Sequence, residues 1–496
     1  MHTASLVKPV LPNEREISLW HDVKGWLLDT HPCALARRHL SLALLWLTLG
    51  LLSALLLRFE LMTPGLDAMQ ARSFGVLLSL HGFLMFYFVA LPAFPGILGH
   101  LALAGWMPEG RLVFPRLGVL SWHLLAAGGA LVVGGFWVGG TEVGWSFDAG
   151  FGGRFNQPGT VPAALGVLLA SVSLGLMGLN TLSSLRVLRR TGMPAGGARI
   201  LAEAIGCGSL LAVVVAPLLG VAMVLVLADA WFNLAVFAPA MGGDPQSFVV
   251  LFRLFSGPAQ NMMLLLALGT ALSVVAERTR VASFSRGQLY GFVLMLVASL
   301  GGWGAELWSA ESGQPVTILG GHPLNLLLFA AFLFSLVFVL RFLRSGVTRV
   351  DTALVYALGF FITAAHGLGV GLLLATPVGS AQFGNTQLAS AQMHLMMMAV
   401  LGMGLLGGLH AGWTALTGRS FSDPLGRFLA FLVVVGTQLC FGPLLVLGLR
   451  GVSFRANAYP PEFQLWHVMS TAGATVLVVA LVLALINLAA GRKAVS

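Results

Sequence analysis

The sequence predicts an all-α membrane protein folded as a bundle of twelve transmembrane helices. Three observations predict it. The chain of 496 residues is 57% hydrophobic and only 9% charged, where a soluble globular chain carries about 25% charged residues. Its apolar residues fall into twelve runs, each near or above the roughly 20 residues that a bilayer requires. Glycine is abundant, with 62 residues, as suits helices that approach closely in lipid.

The runs lie at about 40–57, 73–104, 117–138, 160–185, 205–229, 246–274, 286–305, 323–343, 353–375, 388–415, 426–448 and 467–490. The loops between them alternate in charge. Arg186, Arg189, Arg190 and Arg199 follow the fourth run, and Arg278, Arg280 and Arg286 the sixth. Arg341, Arg344 and Arg349 follow the eighth, and Arg419 and Arg427 the tenth. The opposite loops hold Asp229, Asp244, Glu306 and Glu311. Positive-inside logic then places both termini in the cytoplasm of a bacterial inner membrane. Residues 1–38 read as a cytoplasmic N-terminal extension with an interfacial piece around Ile17 to Leu28. Residues 39–491 read as the twelve-helix domain and 492–496 as a cytoplasmic tail. The N-terminus has no cleavable-signal pattern. Cys33, Cys207 and Cys440 lack metal or disulfide spacing. The net charge of +9 comes from these loop clusters and is a topology signal, so no nucleic-acid partner is implied.

Chemistry, if any, rests on histidines inside the spans, because an ionisable group in lipid is costly unless paired or bound. His2, His21 and His31 lie in the polar N-terminus. His39 and His123 lie near helix ends, where snorkelling to the interface is expected. His322 and His467 have no ligand-like neighbours in sequence. His81 and His394 lie about eight and six residues into the second and tenth runs, which point the same way. At 1.5 Å per residue both imidazoles sit roughly 10–13 Å below the outer helix ends. Two imidazoles at matched depth can clamp one haem iron. Depth alone leaves two unrelated core histidines equally open. His366, roughly 14 Å below the outer end of the ninth run, could by depth replace either, or be a core histidine hydrogen-bonded to a neighbouring helix, the reading preferred here. His100 and His410 lie further along the same two runs, turned off the first pair's face by about 100° and 160°, which disfavours a second haem between them.

Several stretches then point to one family. Leu57-Arg58-Phe59-Glu60-Leu61-Met62-Thr63-Pro64-Gly65, His81-Gly82-Phe83-Leu84-Met85, Phe114-Pro115-Arg116-Leu117, Gly242-Gly243-Asp244-Pro245 and Ala391 to Leu395 occur in the family's order. Arg455 with Tyr459-Pro460 closes the series. The chain resembles subunit I of the haem–copper oxidase superfamily over about residues 40–490. The resemblance implies an oxidase subunit I-like bundle and a low-spin haem ligated by His81 and His394. It also places Arg58 beside the haem edge and Arg455 at a propionate. The haem type, b or a, stays open.

The resemblance fails at the oxygen-reducing centre. The high-spin haem ligand position is Gln392. The helix-6 motif H-P-E-V-Y reads Gly257-Pro258-Ala259-Gln260-Asn261, and the helix-7 motif W-A-H-H reads Trp308-Ser309-Ala310-Glu311. Gly257, Asn261, Ala310, Glu311 and Gln392 thus mark a vacated binuclear site, with neither copper nor high-spin haem expected. The acid at the proton-channel entrance is Arg111, and the helix-6 glutamate is Ala259, which disfavours proton pumping. Arg253 and Glu311 either pair inside the emptied space or each snorkel to the outer surface, with Met393, Met396, Met397, Met398 and Met403 packing the rest.

The expected function is electron transfer by one low-spin haem within a larger respiratory-type membrane complex. A periplasmic cytochrome c, a copper protein or a quinol is the expected redox partner. Two alternatives stand beside it: an active terminal oxidase or nitric oxide reductase with unusual ligands, and a non-redox assembly scaffold.

Overall fold

Twelve apolar runs become twelve helices because lipid offers the backbone no hydrogen-bond partner, and only a helix satisfies every peptide group locally. A computed structural model describes residues 25–65, 68–147, 157–237, 241–280, 285–312 and 323–493. The spanning helices are α1 (Pro32–Glu60), α2 (Ala71–Trp106), α3 (Pro115–Trp137), α4 (Thr160–Thr191), α5 (Gly196–Phe232) and α6 (Pro245–Glu277). They continue as α7 (Arg286–Ser312), α8 (Pro323–Arg344), α9 (Thr352–Leu374), α10 (Gln387–Thr417), α11 (Asp423–Leu449) and α12 (Gln464–Ala489). Each carries a stretch long and apolar enough to cross a membrane. Outer and inner below denote the two ends of the bundle as the loop charges assign them.

Most helices outrun their apolar stretch by a turn or more, since a helix has no reason to stop where the hydrocarbon does. α4 continues through Arg186, Arg189 and Arg190. α1 begins at Pro32 and not near residue 39, with the His31 side chain accepting from the Cys33 N–H. Arg38 is therefore part of the bundle, fully buried, donating to the Leu27 and Asp29 carbonyls. His39 does not snorkel. It is buried against His100 of α2, ring centres 5.2 Å apart. Residues 1–24, with His2 and His21, lie outside the described residues, as do His322 and residues 494–496.

Consecutive helices pack as antiparallel neighbours, and α12 returns against α1. α9, α10 and α11 pack against one another. Among the described residues two helices carry π-helical turns. α2 opens into π-helical turns at Leu84–Ala90 and Phe94–Gly99, and α10 at Met398–Leu405. Pro92 and Pro95, which lack an N–H, sit in this part of α2. The first wide stretch of α2 and the one in α10 begin just inward of His81 and His394. Such turns recur where a helix must aim side chains into a site.

At the inner face the basic loops are tied down. Glu203 takes Arg189 at 3.1 Å and Arg199 at 2.7 Å. Arg278, just past α6, reaches Asp351 at the start of α9 and Glu277 beside it.

Candidate functional site

His81 and His394 meet. Their rings are nearly parallel, 10° between planes, with centres 6.1 Å apart. The Nδ1 atoms are engaged: His81 Nδ1 lies 2.9 Å from the Gly50 carbonyl of α1, and His394 Nδ1 lies 2.7 Å from the Ser390 carbonyl. A carbonyl only accepts, so each Nδ1 donates and each Nε2 keeps its lone pair. Two N–metal bonds of about 2.0 Å, plus ~1.1 Å from each ring centre to its nitrogen, span about 6.2 Å. The observed ring separation of 6.1 Å is close to that span.

Both rings line a cavity of about 880 Å³. Its walls come from α1, α2, α10, α11 and α12 and are mostly apolar, including Leu55, Met85, Phe441 and Leu477. The outer end is polar and carries Arg58 and Arg455, so all four expected cofactor-binding residues share one cavity. Arg58 is fixed from one side only. Its guanidinium donates to the His467 carbonyl at 3.2 Å and touches His467 Nδ1 at 3.4 Å, while its Nε is buried without a partner. The mostly apolar lining, the two imidazoles and the two arginines suit a haem: His81 and His394 would hold its iron, and Arg58 and Arg455 would pair with its carboxylates.

The chain belongs to the cytochrome c and quinol oxidase polypeptide I family. The family model matches residues 34–476. Among the relatives is cytochrome c oxidase subunit 1 of Synechocystis sp., 26% identical over 441 residues, spanning 87% of this chain and 78% of the relative. Another is cytochrome c oxidase subunit 1 of Thermostichus vulcanus, 25% identical over 490 residues, spanning 96% and 86%. A solved heme–copper terminal oxidase dimer shares the fold, with a TM-score of 0.73 at 14% identity, covering 95% of this chain and 84% of that one.

The packing gives the other histidines separate surroundings. His366 takes no part in the cavity, because its ring faces α11, where Nδ1 meets Gln438 Oε1 at 2.8 Å. His100 and His410 do not face each other: His100 lies against His39, and His410 lies 5.1 Å from Tyr356. His467, unremarkable in sequence, is buried, stacked 4.0 Å from Tyr459 and in contact with Arg58. In the motif series Arg58 and Arg455 with Tyr459-Pro460 signalled that region, but not His467 itself.

The Arg253–Glu311 pair gives way to another. Arg253 bridges to Glu306 at 3.5 Å, and its side chain is 61% exposed. Glu311 is exposed further along α7. Glu306 lies five residues nearer the bundle centre than Glu311, and Trp303, one turn before it, donates to the Leu254 carbonyl of α6. That contact turns this face of α7, not Glu311, toward Arg253. The methionines also divide differently. Met393, Met397 and Met398 line the His81–His394 cavity. Met396 covers Gly367 of α9, and Met403 lies against Gly359. Successive residues point about 100° apart, so one helix serves both sides.

At the remaining motif positions, Gln392 turns onto α9 and donates to the Gly367 carbonyl at 3.3 Å. Gly257 is exposed, with nothing within 4 Å of where a Cβ would stand. Asn261 is half-buried. The side chain of Ala310 lies outside the described ones.

Proposed function

We propose that this chain is an electron-transfer subunit carrying one low-spin haem on His81 and His394, without the oxygen-reducing haem–copper centre of its relatives. The observation that carries it is the 6.1 Å imidazole pair across a large cavity. A haem so held supplies one-electron transfer and has no open position for oxygen. The chain's part is to fix geometry and charge. Gly50 and Ser390 hold the imidazoles by their Nδ1–H groups, which sets the tautomer. Arg58 and Arg455 would pair with the haem carboxylates at the outer end.

Loss of the second centre is supported by residue chemistry. An oxygen-reducing site needs a second iron ligand, copper ligands and delivered protons. The corresponding positions are Gln392, Gly257, Asn261, Ala310 and Glu311, and Gln392 is committed to a backbone carbonyl of α9.

The cavity's polar end lies at the outer side, and the loop charges place both termini in the cytoplasm. A periplasmic cytochrome c, a copper protein or a quinol is then the redox partner, with other membrane subunits completing a respiratory complex. Two readouts on the purified protein test the proposal together. Pyridine haemochrome with metal analysis is expected to give one haem per chain and no stoichiometric copper, and the dithionite-reduced spectrum is expected not to change under CO. A second haem, bound copper or a CO shift would overturn it in favour of an active oxidase.

A further inference from the structure

His366 sits in the wrong place for an isolated subunit. It lies eight residues from the outer end of α9 at Leu374, about 12 Å down the helix. Yet it is exposed, on a stripe with Ile362, Ala365, Gly369 and Leu373. The adjoining face of α11 exposes Phe431 and Leu439. Ionisable groups inside a membrane almost always face protein or water-filled space, since lipid satisfies none of their hydrogen bonds.

The hydrogen bonds around His366 define what is missing. Gln438 Nε2 donates to Thr363 Oγ1 at 3.5 Å, which orients the amide. Its Oε1 therefore accepts from His366 Nδ1 at 2.8 Å. In the neutral ring Nε2 is then an acceptor, and no described residue donates to it. The groove beside it admits close approach: nothing lies within 4 Å of where a Cβ would stand on Gly369 of α9 or Gly442 of α11.

We infer that the α9–α11 groove seats a transmembrane helix of a different polypeptide, which donates a hydrogen bond to His366 Nε2 from a hydroxyl or amide side chain. Small residues and one interhelical hydrogen bond are the means by which helices associate in lipid, where apolar burial gives no drive. A second copy of this chain meets the requirement poorly. Against the same groove it would bring Ile362, Ala365, Leu373, Phe431 and Leu439, none with a side-chain donor, and another His366 acceptor. The inference does not depend on what the α2–α10 cavity holds.

The test is photocrosslinking in native membranes. A benzophenone side chain replacing Ile362 is expected to capture one membrane-spanning polypeptide, and peptide mapping should place a Ser, Thr, Asn, Gln or Tyr within a turn of the joined residue. The same probe at Val479, exposed on α12, should not capture it. His366→Leu is expected to cut the yield about three- to tenfold, the range for one interhelical hydrogen bond. His366→Gln, which keeps an acceptor, should retain most of it. Both variants are compared at equal amounts of membrane-inserted chain, so a folding failure is seen separately. Adducts of twice the chain mass, adducts to lipid or quinone alone, or equal yields from His366→Leu and the parent would each overturn the inference.

Discussion

Replacing His81 or His394 by alanine is expected to empty the α2–α10 cavity of haem. Even an outer partner of a metal ligand is worth 10- to 100-fold in affinity, so loss of a ligand should lower haem occupancy by more than about tenfold. No neighbour can substitute. His366 is held by Gln438 on α11, and His467 is stacked on Tyr459 beside Arg58. The measurement is haem per chain by pyridine haemochrome, taken with subunit content and electron flux through the complex. A carrier loses flux while the partner subunits remain. If flux survives haem loss, the chain is a scaffold and the proposed role fails. Gln392→Ala serves as the contrasting variant. It removes a hydrogen bond to α9 and is expected to leave haem content unchanged.

Arg278→Met should cost about 3–5 kcal/mol of stability, the usual penalty for stranding a buried partner. Arg278 and Asp351 are both buried at the inner face. The guanidinium Nε lies 3.3 and 3.2 Å from the two carboxylate oxygens, and NH2 lies 3.2 Å from Oδ2. Asp351 also accepts from Arg349 and from the Leu354 N–H at 3.1 Å, so one carboxylate joins the end of α6 to the start of α9. Burial would raise the Asp351 carboxyl, but the Arg278 guanidinium beside it, the Leu354 N–H and Arg349 together hold it below the ordinary carboxylate value. A depressed carboxyl stabilises the fold fully above its unfolded pKa of about 3.9 and loses that contribution as pH falls through the lower folded value. The denaturation midpoint in detergent should therefore fall for Arg278→Met at neutral pH. The gap to the parent should narrow as the pH drops below about 4. A pH-independent gap would assign the loss to packing instead. Asp351→Asn, which keeps the shape without the charge, should show the same narrowing.

The sequence by itself determined the helix count, the order of the helices and the depth of the polar residues well inside the spans, though not of Arg38 and His39 at the start of α1. These follow from position along the chain. A run of apolar residues needs a bilayer, and each residue advances the helix by a fixed rise. Depth placed His81 and His394 level with each other, and the oxidase-like motif register separated them from His366. The tertiary structure decided everything that depends on direction around a helix and on which helix lies beside it. It brought the two imidazoles to 6.1 Å, gave Arg253 to Glu306, buried His39 against His100, and divided the α10 methionines between two neighbours. It also left His366 facing outward. None of these could be read from an apolar pattern. In a membrane helix both the buried and the lipid-facing sides are apolar, so the face that turns inward carries no compositional mark.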